Sequence, residues 1–131
     1  MTRVVIDTNV YISALVFGGV PQRVIQRAQG ESWEICVSKP LMDEVAGTLE
    51  EKFGWSQAEL DFALPPLWQR STLVEPTAPV EVCVDPDDNR VLECVQAAGA
   101  RFLITGDDHL LRLNQFENAA IVTPREFLVA P

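Results

Sequence analysis

Cysteine is scarce and follows no pairing pattern: Cys36, Cys83 and Cys94 are odd in number, lie in or beside apolar runs and form no C-x-x-C spacing. That argues against a disulfide framework and against a zinc site, and leaves buried thiols as the expectation. Long apolar runs are missing too. None approaches the ~20 residues of a membrane span, and the N-terminus lacks the basic-then-apolar layout of a signal peptide. The chain is therefore expected to be cytoplasmic, with no membrane partner. Positive charge is thin: 10 basic residues stand against 19 acidic ones, a net charge of −9 that argues against a broad phosphate-binding surface. Nucleic acid stays open as a substrate where a bound cation and a few arginines supply the positive charge.

What is present fits one globular domain spanning residues 1–131, with 47% hydrophobic and 22% charged residues. Its organising stretch is the N-terminus. Val4, Val5 and Ile6 read as a strand buried on both faces, and Asp7 follows at its carboxyl end, where open α/β sheets place their ligands. Val10, Tyr11, Ala14 and Leu15 then predict a helix over Thr8 to Phe17, ended by Gly18-Gly19. A second helix opens near Pro21 and stops at Gly30, burying Val24, Ile25 and Ala28 and turning Arg23 and Arg27 outward.

Trp33 to Val37 reads as the next strand, with Ser38 as N-cap and Pro40 near the start of a third helix. In that helix Leu41, Val45, Leu49 and Phe53 predict a buried stripe closed by Gly54, with Glu44 on its edge and Asp43 turned farther round. Ser56 to Glu59 has the capping-box pattern of a fourth helix, which Pro65-Pro66 is expected to break or kink. Thr72 to Val74 suggests a short edge strand, and Glu75 to Val84 an irregular loop. Asp85-Pro86-Asp87-Asp88-Asn89 opens a helix to about Ala98, with Asp88 on the face of Val91, Leu92 and Val95. Arg101 to Thr105 is another buried strand, followed by Gly106-Asp107-Asp108, a one-turn helix through Leu110, Leu111 and Leu113, and a strand Ala119 to Val122. Thr123 to Glu126 is a second capping box, opening a terminal helix that docks through Phe127 and Leu128.

Strands alternating with helices predict an α/β fold, a three-layer α/β/α sandwich around a central parallel sheet of four to five strands. Asp7, Glu44, Asp88 and Asp107 then share the edge where the strands end. Carboxylates gathered there repel one another unless a hard divalent cation, Mg²⁺ or Mn²⁺, sits between them. One such ion, or two about 4 Å apart, suits hydrolysis of a phosphodiester. Each acid also has a plainer role. Asp7 and Asp107 are placed to cap helices, Asp88 to favour a first turn with Asp85 or Asp87 as the cap, and Glu44 to lie on a solvated helix edge.

Four segments, in order, carry a family resemblance: Val4-Val5-Ile6-Asp7-Thr8-Asn9-Val10, Asp85-Pro86-Asp87-Asp88-Asn89, Phe102-Leu103-Ile104-Thr105-Gly106-Asp107, and Ile121 to Leu128. Together they resemble the PIN-domain family, and more narrowly its branch of toxin components of toxin–antitoxin systems. The resemblance implies a Mg²⁺- or Mn²⁺-dependent endoribonuclease with Asp7, Glu44, Asp88 and Asp107 as metal-binding acids and Asn9 and Thr105 in support. It also implies an RNA substrate, a small antitoxin partner and a homodimer.

Many relatives read Gly-Asp-x-Asp-Leu where this chain has Gly106-Asp107-Asp108-His109-Leu110, so the second acid is displaced or replaced by the single histidine. Asp85, Asp108 and His109 are accordingly further candidates for the site, with a solvated helix residue the preferred reading of His109. Arg23, Arg27, Lys39 and Arg90 are candidates for RNA contact or scattered surface charges, and Trp33, Trp55 and Trp68 for base stacking or ordinary packing. Two rival phospho-aspartate chemistries, a haloacid-dehalogenase-like phosphatase and a phospho-receiver domain, need a lysine after a later strand. The two lysines, Lys39 and Lys52, do not supply it. The rival of another class is a catalytically silent PIN fold serving as a binding or scaffold module.

Overall fold

The computed structural model describes residues 1–129. Among them, strands and helices follow in the order β1 (Thr2–Ile6), α1 (Thr8–Phe17), α2 (Gly19–Ala28), β2 (Trp33–Val37), α3 (Lys39–Phe53), α4 (Gln57–Gln69) and β3 (Thr72–Leu73). The second half continues with α5 (Pro86–Ala98), β4 (Phe102–Ile104), α6 (Asp108–Leu113), β5 (Gln115–Phe116), β6 (Ala119–Val122) and α7 (Pro124–Val129). The described strands form one sheet in the order β3-β2-β1-β4-β6-β5.

The alternation of β1 fixes the layers. Val4 and Ile6 point into one core with residues of α1, α2, α4 and α7, whereas Val5 points into a second core built on α5 and α6. Helix α3 serves both, since Val45 and Leu49 join the first and Leu41 the second. The result is the three-layer α/β/α arrangement expected, with a larger and more varied sheet. Six strands are present among the described residues, and β5 runs antiparallel to β6 through Gln115↔Ala120 and Phe116↔Ala119. The remaining pairs are parallel.

From β1 the chain steps to β2 and β3 on one side, then returns to β4 and β6 on the other. The strand order thus reverses between β1 and β4, and a crevice opens outside their carboxyl ends. Asp7 and Thr105 follow those two strands directly. The Asp7 N–H donates to the Ile104 carbonyl at 2.9 Å and the Thr105 N–H to the Val122 carbonyl at 2.9 Å, so both are extensions of the sheet.

Several local expectations change. Pro65 and Pro66 neither break nor visibly end α4, which runs on to Gln69. Both prolines are exposed, as are Asp61 and Phe62 four residues back, whose carbonyls the prolines cannot bond, and Leu60 and Leu64 anchor the buried side. Phe53 does not complete the buried stripe of α3: it is 40% exposed and meets Phe17 edge-on, with centroids 6.2 Å apart. Gly54 follows in the left-handed conformation (φ 67°), which turns the chain away there. Cys36 and Cys94 are buried free thiols, pushed up to about 11 and 12 by desolvation, while Cys83 is half-buried. Trp33, Trp55 and Trp68 all pack half-buried against the first core, which is structural work. No helix among the described residues is long and apolar enough to cross a membrane.

Candidate metal centre at the switch point

A pocket of about 230 Å³ occupies the crevice, and Asp7, Glu44, Asp88 and Asp107 all line it. They arrive from four separated stretches: the end of β1, the second turn of α3, the first turn of α5 and the N-cap of α6.

Asp7 is 4% exposed and makes no side-chain cap bond to α1, so capping does not explain it. Its Oδ2 accepts the Thr105 hydroxyl at 2.7 Å, and the Thr8 hydroxyl lies 3.4 Å from its Oδ1. The Thr105 Oγ1 in turn accepts the Asp107 N–H at 3.0 Å. One fully buried threonine thereby fixes the position of two acids. Asp107 does cap its helix, accepting the His109 N–H at 2.7 Å, and Asp85 caps α5 through the Asp87 N–H at 2.9 Å. Those two capping roles coexist with a place on the pocket wall.

Negative charge dominates the site, with His109 the opposing group at Asp88. Burial raises the Asp7 carboxyl above its usual range against the hydrogen bonds of Thr105 and Thr8, and the charge of Asp107 raises it further. Glu44 is pushed up to about 7 by desolvation, then by Asp87 and Asp7. Asp88 is pushed up to about 6 by desolvation, then by Asp107, Asp85 and Asp7. The acids are close enough to oppose each other's ionisation, and the cation at the rim is the exposed Lys52, which forms no ion pair with them among the described residues.

Oxygen donors without a countercharge suit a hard divalent cation. Asp88, Asp107 and His109 each bring one donor atom, all within 4.8 Å of one another. Asp7 and Glu44 line the same pocket outside that tighter group. His109 is thus both solvated, its side chain 75% exposed, and within reach of the acids, with Nδ1 3.8 Å from the Asp107 Oδ1.

Other candidates go elsewhere. Asn9 is exposed and lines the pocket, whereas the exposed Asp108 does not. Arg27 does not face outward as expected: it lies over the Trp33 and Phe127 rings and donates from Nη1 to the Leu128 carbonyl at 2.7 Å. Arg90 is not at the rim of the acids but ion-paired with Glu93 at 2.8 Å. Lys39 is paired with Asp43 at 3.0 Å, and Arg23 is exposed on α2 without lining the pocket. Sequence reasoning missed Lys52 and Asp87. Lys52 stands eight residues after Glu44 on one helix, about two turns along the same side, a spacing that was there to be read.

The raised carboxyls give a pH dependence. In the metal-free fold Glu44 and Asp88 titrate near 7 and 6 against ordinary values of 4.5 and 3.8, so the folded state holds more protons between those limits. Stability is full below the ordinary values and is lost as pH rises through the folded ones. With solvent screening allowed for, thermal unfolding in chelator should show Tm falling by about 4 °C between pH 5 and 8. Glu44→Gln should flatten part of that fall, and an unchanged slope would remove Glu44 from the acidic group.

Comparison with known proteins places the chain. The PIN domain profile matches residues 3–109, from the first strand through the segment holding Asp107 and His109. An uncharacterized protein of Methanocaldococcus jannaschii is 28% identical over 140 aligned residues, covering 96% of this chain and 89% of the relative. PIN domains are generally nucleases and typically use divalent metals.

Proposed function

The chain belongs to the PIN-domain family, and from that premise we propose that it is a Mg²⁺- or Mn²⁺-dependent endoribonuclease. The observation that carries the reading is the meeting of Asp7, Glu44, Asp88 and Asp107 around one pocket at the strand-order reversal. Asp88, Asp107 and His109 would hold the ion, with Asp7 and Glu44 beside them. When bound, a divalent ion supplies the positive charge that engages phosphate oxygens and activates water for in-line displacement at phosphorus.

The protein's own part is geometric and protonic. Thr105 ties the Asp7 carboxylate to the Asp107 backbone N–H, and the Asp107 carboxylate is set in turn by the His109 N–H, so the cluster needs little rearrangement. Glu44, titrating near 7, holds a proton for part of the population at neutral pH and gives it up when a cation arrives. Metal affinity accordingly rises with pH across that range. The toxin role, a small antitoxin as partner and a homodimer as the working form belong to the same proposal, supported by the sequence resemblance.

Purified protein with Mn²⁺ should cut single-stranded or looped RNA and stop in chelator. Asp107→Asn, which keeps a cap at α6, should remove cleavage with the far-UV circular dichroism unchanged. Activity that persists undiminished in this variant would point to a contaminating nuclease and end the assignment.

A further inference from the structure

A second hollow of about 170 Å³ adjoins the acidic pocket and shares Asp85 and Asp88 with it. Val82, Val84 and Leu113 give it apolar walls, and the exposed His109 lines it together with Asp85 and Asp88. Val84 is fully exposed and Val82 more than half exposed, and both line the hollow.

The exposure is built in. Asn89, only 6% exposed, accepts the N–H groups of Val82 and Cys83 at 3.1 and 2.7 Å and returns its amide to the Cys83 carbonyl at 2.9 Å. A buried side chain therefore pins Val82 and Cys83 while the side chains of Val82 and Val84 face water. Apolar walls on a pinned backbone, rimmed by a carboxylate, suit a flat ligand ring.

We propose that this hollow receives the base of the nucleotide next to the scissile phosphate and selects cytosine. The inference rests on the nuclease reading and names the substrate feature read at that same site. Size suits one ring: an apolar cavity of about 150 Å³ is known to hold a benzene molecule, this hollow is about 170 Å³, and a fused purine extends farther out of it. Chemistry favours cytosine over uracil. Asp85 uses Oδ1 for the Asp87 N–H at 2.9 Å, and its second oxygen is available to accept a hydrogen bond. A carboxylate accepts the exocyclic amino group of cytosine and repels the carbonyl that uracil carries in its place. Unstacked bases of single-stranded RNA can enter such a hollow, whereas paired ones cannot.

The test uses the whole chain with Mn²⁺ and oligoadenylate strands that each carry one cytidine, uridine or guanosine. Beside it, the protein is titrated with CMP, UMP and AMP while the Val84 and Leu113 methyl resonances are followed. Cleavage next to cytidine should be about 10-fold faster than next to uridine, and CMP should shift those methyls at the lowest concentration. Asp85→Asn caps α5 equally well, and its amide can donate to uracil, so the preference should move from cytosine toward uracil. Strands cut at equal rates whatever the base would overturn the assignment and leave the nuclease reading intact, as would a preference unaltered by Asp85→Asn. Selective shifts by CMP with no strand cut would support the hollow as a base site and sink the nuclease reading. Equal or absent shifts for all three nucleotides would overturn the assignment.

Discussion

Asp7→Asn is expected to lower RNA cleavage by at least about 100-fold and, in the same protein, to raise the Tm of the metal-free form at pH 8. The two effects share one cause. Asp7 is buried, its carboxyl is raised by desolvation and by the Asp107 charge, and no cationic side chain relieves it among the described residues. Ionised, it destabilises the empty fold; with a cation present, that same charge becomes an attraction. Asparagine keeps the shape, and its carbonyl oxygen still accepts the Thr105 hydroxyl now 2.7 Å from Oδ2. Thermal unfolding in chelator, read with cleavage rates in Mn²⁺, tests both halves. A variant that is inactive but melts lower would mean that the carboxylate serves the fold and not an ion, and an active one would end the nuclease reading.

The parts of this site that were legible in the sequence are those set by short-range geometry. Three branched residues before Asp7 specify a two-faced strand, and the position of Glu44 between Leu41 and Val45 fixes its side of α3. Thr105 and Asp107 follow because a strand end and a helix cap leave few orientations. What was not legible depends on partners distant in the chain. Arg27 looks like a surface cation until Trp33 and Phe127 close over it, and Asn89 looks like a helix residue until the loop of Val82 and Cys83 folds back onto its amide. The β5–β6 hairpin turns at Glu117 with φ 52°, a left-handed residue that is not glycine, so the usual turn signal is missing. Pro65-Pro66 misled because helix propensity describes an isolated helix, and α4 is held by what Leu60 and Leu64 bury.

Phe127→Ala is expected to cost about 3–5 kcal/mol, a fall in Tm of roughly 10–20 °C. Helix α7 spans Pro124–Val129, far too short to be stable alone, so its place depends on docking and on the reciprocal cap of Thr123 and Glu126. The anchor is Phe127, fully buried, with its ring 4.8 Å from Trp33 and 6.4 Å from Phe102, both edge-on. Arg27 lies over the Phe127 ring at 5.5 Å and over Trp33 at 5.7 Å, and its bond to the Leu128 carbonyl ties α2 to α7. Removing the ring leaves a cavity in the first core and takes away one of the two rings, Phe127 and Trp33, over which the Arg27 guanidinium lies. Phe127→Leu should recover much of the loss, because it restores volume without the edge-on contacts. Since Phe127 belongs to the α7 side of the sheet and does not line the acidic pocket, cleavage measured well below the lowered Tm should be nearly unchanged. A loss under about 1 kcal/mol by denaturant titration would show that α7 is dispensable, and a loss of cleavage in a folded Phe127→Ala protein would show that this helix reaches the acidic site.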